Sequence, residues 1–143
     1  MLTENDIIKA VAASLRRGGY SIQRTATTVQ RGVDIEAVSA KKRRTILIEA
    51  KGETTSKAYT SRHGKPFSRN QCRTHIAVAL FTAAKAREAA KSRSGQLVAI
   101  ALPDVEPNRE LVASIRSSIR ALGIGIFWVS SAKSVRFEGS WRL

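Results

Sequence analysis

Residues 32–52, GVDIEAVSAKKRRTILIEAKG, decide the fold. Two runs that alternate between apolar and polar residues flank a basic turn, which is the pattern of a β-hairpin. In the first run Val33, Ile35 and Ala37 point one way and Asp34, Glu36 and Val38 the other. In the second, Ile46, Ile48 and Ala50 oppose Leu47, Glu49 and Lys51. A two-residue turn at Lys41-Lys42 pairs these strands so that Asp34 lies opposite Glu49, with Lys51 two residues beyond on the same face. A slip of one residue would send every side chain to the other face, so the register is itself an expectation.

That geometry carries chemistry. Two carboxylates facing each other repel, and both stay ionised when a cation sits between them. Mg²⁺ suits the place, because this hard ion takes a few carboxylates, a carbonyl and several waters. A lysine beside it can orient or deprotonate an attacking water, or offset charge on a phosphate, which together permit in-line displacement at phosphorus. The plainer alternative is an exposed Glu49–Lys51 pair with Asp34 closing a turn. Acid-x-Lys occurs once in the chain, at Glu49-Ala50-Lys51, and it ends the apolar run ILIEAK, where solvated charge is not the default.

Working outward, Thr3 and Asp6 form a capping-box signature, Leu2 and Ile7 a hydrophobic staple, and Ile7, Ile8, Val11, Ala12 and Leu15 one face of a helix stopped at Gly18-Gly19. Residues 20–25 alternate like a short strand. Residues 52–69, GETTSKAYTSRHGKPFSR, form a long basic loop in which Tyr59, His63 and Phe67 are interleaved, a composition suited to phosphate contact and base stacking. A second helix runs from Asn70 to about Lys91 with Ile76, Ala77, Leu80, Phe81 and Ala84 inward. Residues 97–102 read as a buried strand. Pro107 opens a third helix carrying Leu111, Val112, Ile115, Ile119 and Leu122, which Gly123 ends, and 124–129 is another apolar strand. Strand, helix, strand implies a right-handed crossover and a parallel pair. Residues 135–137 add an edge strand, and Trp128 and Trp141 read as packing residues.

The 143 residues suit one domain. No apolar run approaches the roughly 20 residues of a membrane helix, and the acidic, polar N-terminus lacks a secretory pattern, which places the protein in the cytoplasm. One cysteine and two histidines cannot assemble a Cys/His zinc set. The 25 Lys and Arg against 11 Asp and Glu leave a net charge of +14. This implies a polyanionic partner, and nucleic acid rather than a membrane, since no helix joins a basic face to bulky aromatic anchors. The excess concentrates between Lys41 and Arg93. Its contact candidates are Lys41, Lys42 and Arg43 in the hairpin turn, Lys57, Tyr59, Arg62, His63 and Lys65 in the loop, and Arg69 and Arg73 at the start of the second helix.

The order of helix, strand, Val33-Asp34 strand, apolar strand ending in Glu49-Ala50-Lys51, helix and strand resembles the PD-(D/E)XK nuclease superfamily. In size and in the short Asp-to-Glu spacing it is most similar to Holliday-junction resolvases and Mrr-type catalytic domains. The resemblance implies a restriction-endonuclease-like α/β fold, a central mixed β-sheet flanked by helices. An αβββαβ core would cover about residues 3–102, and 103–143 would be a C-terminal αβ extension of the same domain. It also implies that Asp34, Glu49 and the Ala50 carbonyl are ligands for Mg²⁺ or Mn²⁺ and that Lys51 is the catalytic lysine. Glu4 matches the extra acid of the first helix, and Gln71 a glutamine at the start of the helix after the E-x-K strand, a place that a plain helix-start residue would fill equally well. Val33 stands where the motif has proline, and Glu36 is the alternative ligand under a different register. The expected activity is metal-dependent endonucleolytic hydrolysis of duplex or branched DNA, by a homodimer where two strands are cut. The competing reading is a non-catalytic nucleic-acid-binding protein on the same fold.

Overall fold

The computed structural model describes residues 1–25, 32–55, 61 and 64–143. Ten elements follow one another: α1 (Glu4–Arg17), β1 (Ser21–Thr25), β2 (Ile35–Ser39), β3 (Arg44–Ala50), α2 (Arg69–Ala90), β4 (Gln96–Pro103), α3 (Glu106–Ala113), α4 (Arg116–Ala121), β5 (Ile124–Ser131) and β6 (Ser134–Glu138). The strands form one six-stranded sheet in chain order. β1, β2 and β3 pair antiparallel, β3, β4 and β5 parallel, and β6 antiparallel on the far edge. This is the expected mixed α/β architecture with an αβββαβ core, compatible with a restriction-endonuclease-like fold. The C-terminal part is larger than the αβ extension expected, with two helices and two strands.

The topology divides the helices between two faces. Crossovers β3–α2–β4 and β4–α3/α4–β5 step across the sheet in the same direction, so right-handed connections place their helices on one side. Ile76, Ala79 and Ala83 of α2, Val112 of α3 and Ile119 of α4 indeed share a core with Val98, Ile100, Leu102, Ile124, Ile126 and Trp128. The other face is left to α1, whose Ile7, Ile8, Val11 and Leu15 pack on Ile35, Ala37, Ile46, Ile48, Ala50, Ala99, Ala101, Phe127 and Val129. Burial on both faces explains why β4 and β5 read as unbroken apolar runs.

α1 starts as its sequence dictates: the Asp6 N–H donates to Thr3 Oγ1 at 3.2 Å, and the Thr3 N–H donates to Asp6 Oδ2 at 2.9 Å. The hairpin register is also the expected one, with Ile35 opposite Ile48 and Ser39 opposite Arg44. Its turn is longer than two residues. The ladder ends at Ser39–Arg44, and residues 40–43 close through the Arg43 N–H, which donates to the Ala40 carbonyl at 3.2 Å. Lys41-Lys42 remain at its centre, which is why the register survives.

Two helices differ from expectation. α2 buries Cys72, Ile76, Ala79, Ala83 and Ala90, whereas Phe81 is 68% exposed and Ala77 lies on the surface. A row of alanines lets the helix approach the sheet closely, and that row rather than the bulkier residues faces inward. The third helix is split: α3 ends at Ala113, and Ile115, at φ −131° and ψ 15°, leaves helical geometry before α4 begins. Ile115 and Leu122, expected inside, are 37% and 52% exposed. Trp128 is buried, and Trp141 packs on Phe137, its indole N–H donating to the Gly123 carbonyl at 3.1 Å.

Candidate active site

Asp34, Glu49 and Lys51 come together at the carboxyl end of β3, beside the carboxyl end of β4. Ligands of open α/β sheets commonly settle at that end of parallel strands. The β2–β3 ladder stops at Ile35–Ile48, and the Asp34 N–H donates to the Ile48 carbonyl at 2.9 Å, one residue out of that register, so the expected Asp34–Glu49 pair is not a rung of the ladder. Asp34 Oδ2 accepts the Ala50 N–H at 2.7 Å, so a main-chain donor fixes the carboxylate in place. Oδ1 accepts no hydrogen bond among the described residues. Glu36 sits opposite Leu47, set back along the ladder, so this register brings Asp34 and not Glu36 to the end that holds Glu49.

Glu49 Oε1 accepts a hydrogen bond from Lys51 Nζ at 2.7 Å, and Glu4 Oε2 lies 3.7 Å from the same ammonium. Asp34 and Glu49 are only 9% and 7% exposed. Burial pushes the Glu49 carboxyl above its usual range, and the charges of Asp34 and Glu4 push it further, against the pull of Lys51. Burial also raises Glu4, with Asp34 adding to it. For Lys51 burial works toward the neutral amine, but the hydrogen bond to Glu49 and the charges of Glu49, Glu4 and Asp34 outweigh it, so its pKa rises and it stays an ammonium.

Glu4 reaches this place because of Gly52. A Cβ on Gly52 would stand 2.5 Å from the Glu4 nitrogen and 2.8 Å from the Thr3 carbonyl carbon. Only a residue without a side chain lets the first turn of α1 lie on the exit from β3. The contact is sealed by a parallel bridge between Thr3 and Thr54, by the Glu53 N–H donating to the Leu2 carbonyl at 2.9 Å, and by the Leu2 N–H donating to Glu53 Oε1.

Gln71 forms a capping box with Ser68, its Oε1 accepting the Ser68 N–H at 2.9 Å, as a helix-start residue would. The residue missed by the sequence is His75, whose pKa is lowered by burial and by the Lys51 charge. Its Nδ1 is buried and has no hydrogen-bond partner among the described residues, and its ring meets Phe67 edge-on at 4.4 Å. Spacing held the clue, since His75 follows Gln71 by four residues and so shares its helix face. Phe67 is also tied by its N–H to the Glu53 carbonyl at 2.9 Å, so it packs on the helix rather than standing free to stack on a base.

The basic candidates do not form one surface. Lys41, Lys42 and Arg43 sit at the other end of β3, about 20 Å from Glu49 at ~3.3 Å per strand residue. Within that group Lys42 Nζ lies 5.6 Å from the Tyr20 ring centre. Arg69 is paired with Glu110, while Arg73 and Lys65 are exposed. Lys57, Tyr59, Arg62 and His63 lie outside the described residues.

For a metal, the donors offered are Asp34, Glu49 and the Ala50 carbonyl. Two crowded carboxylates, one with its proton affinity raised, fit a hard divalent cation in donor type. Among the described residues no group of three or more His, Cys, Asp or Glu side chains is gathered closely enough to hold an ion by itself. Water would therefore complete the shell, as is usual for Mg²⁺.

In fold the chain is similar to an XisH family protein from Nostoc punctiforme, with a TM-score of 0.53 at 15% identity over 92% of this chain and 98% of that one. It also aligns with SfsA from Pyrococcus furiosus in complex with Ca²⁺, with a TM-score of 0.36 at 16% identity over 95% of this chain and 59% of that one. At these identities the first likeness concerns the fold alone, and the second is too slight to argue from. No protein-family model and no curated protein matches the chain.

Proposed function

We propose that the chain is a metal-dependent endonuclease that hydrolyses DNA phosphodiesters. The observation that carries this reading is the gathering of Asp34, Glu49 and Lys51, joined by Glu4, in one largely buried cluster of charge on a protein with a net charge of +14. Asp34, Glu49 and the Ala50 carbonyl would hold Mg²⁺ or Mn²⁺, which when bound supplies an activated water and neutralises phosphate charge. The Ala50 N–H holds Asp34 in position. Lys51, kept an ammonium by Glu49 and Glu4, donates to a non-bridging phosphate oxygen and stabilises the charge that builds there. Lys65 and Arg73 supply cations for flanking phosphates. Cutting both strands of a duplex or junction needs two such centres, so a homodimer is part of the proposal. A monomeric sedimentation mass at concentrations where both strands are cut would remove that part.

The test is incubation with supercoiled plasmid, linear duplex and a four-way junction, each with Mg²⁺, Mn²⁺ or EDTA. The parent should cut at least one substrate with metal and none with EDTA. Asp34→Asn, Glu49→Gln and Lys51→Ala should each lose roughly 10²-fold or more in rate while DNA affinity stays within a few-fold. Equal cutting by all three variants would refute the assignment. The closed 2.7 Å Glu49–Lys51 pair favours a second reading, a binding protein without catalysis. That reading predicts DNA bound and left intact with every divalent ion tried.

A further inference from the structure

At the pole opposite these carboxylates, the hairpin turn 40–43 and the turn 91–95 border an open groove of about 310 Å³ lined by Arg43, Arg44, Arg93, Ser94, Gly95 and Gln96, among others. No carboxylate of the described residues lines it. The two turns are fastened together. The Thr45 N–H donates to the Gly95 carbonyl at 2.8 Å, and Gly95, at φ +77°, sits so close that a Cβ there would overlap the Arg43 carbonyl oxygen. Arg43 itself adopts φ +51°, the only positive φ outside glycine among the described residues.

Among the described residues no ion pair engages Arg43, Arg44 or Arg93, although Arg44 donates to the Arg142 carbonyl; Arg16, Arg17, Arg73 and Arg87 are likewise without an ion pair. Arg69, Arg109, Arg116 and Arg136 are each neutralised by a carboxylate. Arg43 and Arg93 have neither an ion pair nor a side-chain hydrogen bond among the described residues, and the Ser94 and Gly95 N–H groups of the same turn have no backbone acceptor. Like charges held together by a rigid turn repel unless an anion lies between them. Unused guanidinium forks beside free main-chain N–H groups suit one anion chemistry above others, the tetrahedral oxyanion of a phosphate.

We propose that this pocket binds a backbone phosphate of a polynucleotide, as an anchoring point separate from the carboxylate centre. Choosing a polynucleotide rests on the nuclease reading, whereas the anion chemistry stands without it. The separation along β3, about 20 Å at ~3.3 Å per residue, corresponds to about six base-pair steps of 3.4 Å. A duplex longer than that can engage both poles and a shorter one cannot.

The experiment measures fluorescence anisotropy of a labelled 20-base-pair duplex and of a hairpin with a four-base-pair stem, without divalent metal, across a salt series. The proteins are the parent, the Arg43→Gln/Arg93→Gln double variant, and an Arg16→Gln/Arg17→Gln variant that removes the same charge elsewhere. The pocket variant should bind the long duplex about tenfold more weakly, with the salt slope reduced by about one. It should bind the short hairpin within twofold of the parent, and the control variant should change neither. Unchanged binding of the long duplex, equal losses on both DNAs, or an equal loss in the control variant would overturn the pocket. Calorimetric titration with inorganic phosphate separates the sources: saturation by free phosphate in a parent that binds no DNA would overturn the polynucleotide assignment. If the pocket variant loses long-duplex affinity while the parent cuts nothing, the pocket stands and the nuclease reading falls.

Discussion

Replacing Gly52 by alanine sets two effects of opposite sign against each other. The backbone at Gly52 is not in the left-handed region, so an alanine there would ordinarily stabilise by about 0.4–1 kcal/mol through loss of unfolded-state freedom. The new Cβ, however, would lie 2.5 Å from the Glu4 nitrogen and 2.8 Å from the Thr3 carbonyl carbon. Carbon contacts settle at about 3.5–4.0 Å, so the first turn of α1 must retreat by roughly 1 Å. Both obstructing atoms are main chain, and that segment is held by the Thr3–Thr54 bridge and the Thr3–Asp6 capping box. Overpacking of this kind costs about 1–3 kcal/mol. The clash therefore wins, with a net loss of about 1–2 kcal/mol. For a chain of this size that lowers Tm by about 3–6 °C. Thermal and urea unfolding followed by circular dichroism should show it, with the urea midpoint lowered at unchanged slope. A Tm at or above that of the parent would mean that α1 does not lie on Gly52 as described, and the placement of Glu4 beside Lys51 would fall with it.

Other outcomes test other parts of the structure. Ala79→Leu, on the inward row of α2, should cost about 1–3 kcal/mol, whereas Phe81→Ala, 68% exposed, should stay within about 0.5 kcal/mol; the reverse order in urea unfolding would show the helix turned the other way. Burial raises the Glu138 pKa, but hydrogen bonds from Arg116 at 2.7 Å and Trp128 at 3.0 Å, with Arg116 and Arg136 charge, bring it below the usual value. A depressed folded-state pKa means that the stabilisation is present above the unfolded-state pKa and is lost as pH falls through the folded one. Glu138→Gln should accordingly lose about 1 kcal/mol at pH 7, and the gap to the parent should close in acid; a gap independent of pH would refute the ionised partner. Mg²⁺ at ten times its dissociation constant should stabilise the parent by about 1.4 kcal/mol and Asp34→Asn by much less, read as a Tm shift reversed by EDTA. Equal shifts in both proteins would show the ion binding elsewhere.

The hairpin register was legible because side-chain alternation and the symmetry of the basic turn both point to one midpoint. Residues 40–43 are centred on Lys41-Lys42, so a longer turn left the pairing untouched. The inward face of α2 was not legible: Ala77, Ala79, Ala83 and Ala84 offer several faces narrow enough to meet a sheet, and only the packed structure chooses among them. Neighbourhood in sequence misled for Lys41, Lys42 and Arg43, which stand close to Glu49 along the chain but a full strand away in space. Glu4 reaches Lys51 through the packing of α1 on Gly52, and His75 comes within the influence of the Lys51 charge through the docking of α2, neither of which a local pattern encodes.

Every strand of this sheet lies beside its neighbour in sequence. No connection has to skip over a strand, and the antiparallel pairs β2–β3 and β5–β6 close over short turns, whereas the parallel pair β3–β4 closes over the long connection 51–95 at a greater entropic cost. Asp34, Glu49 and Lys51 belong to or flank one of the short-turn hairpins, β2–β3, so little chain entropy opposes bringing them near one another. The rest of the chain completes this pole, since the Lys51 N–H donates to the Ala101 carbonyl of β4 at 3.0 Å. Of its four charges, Glu4 alone comes from outside the hairpin, carried in by the first turn of α1.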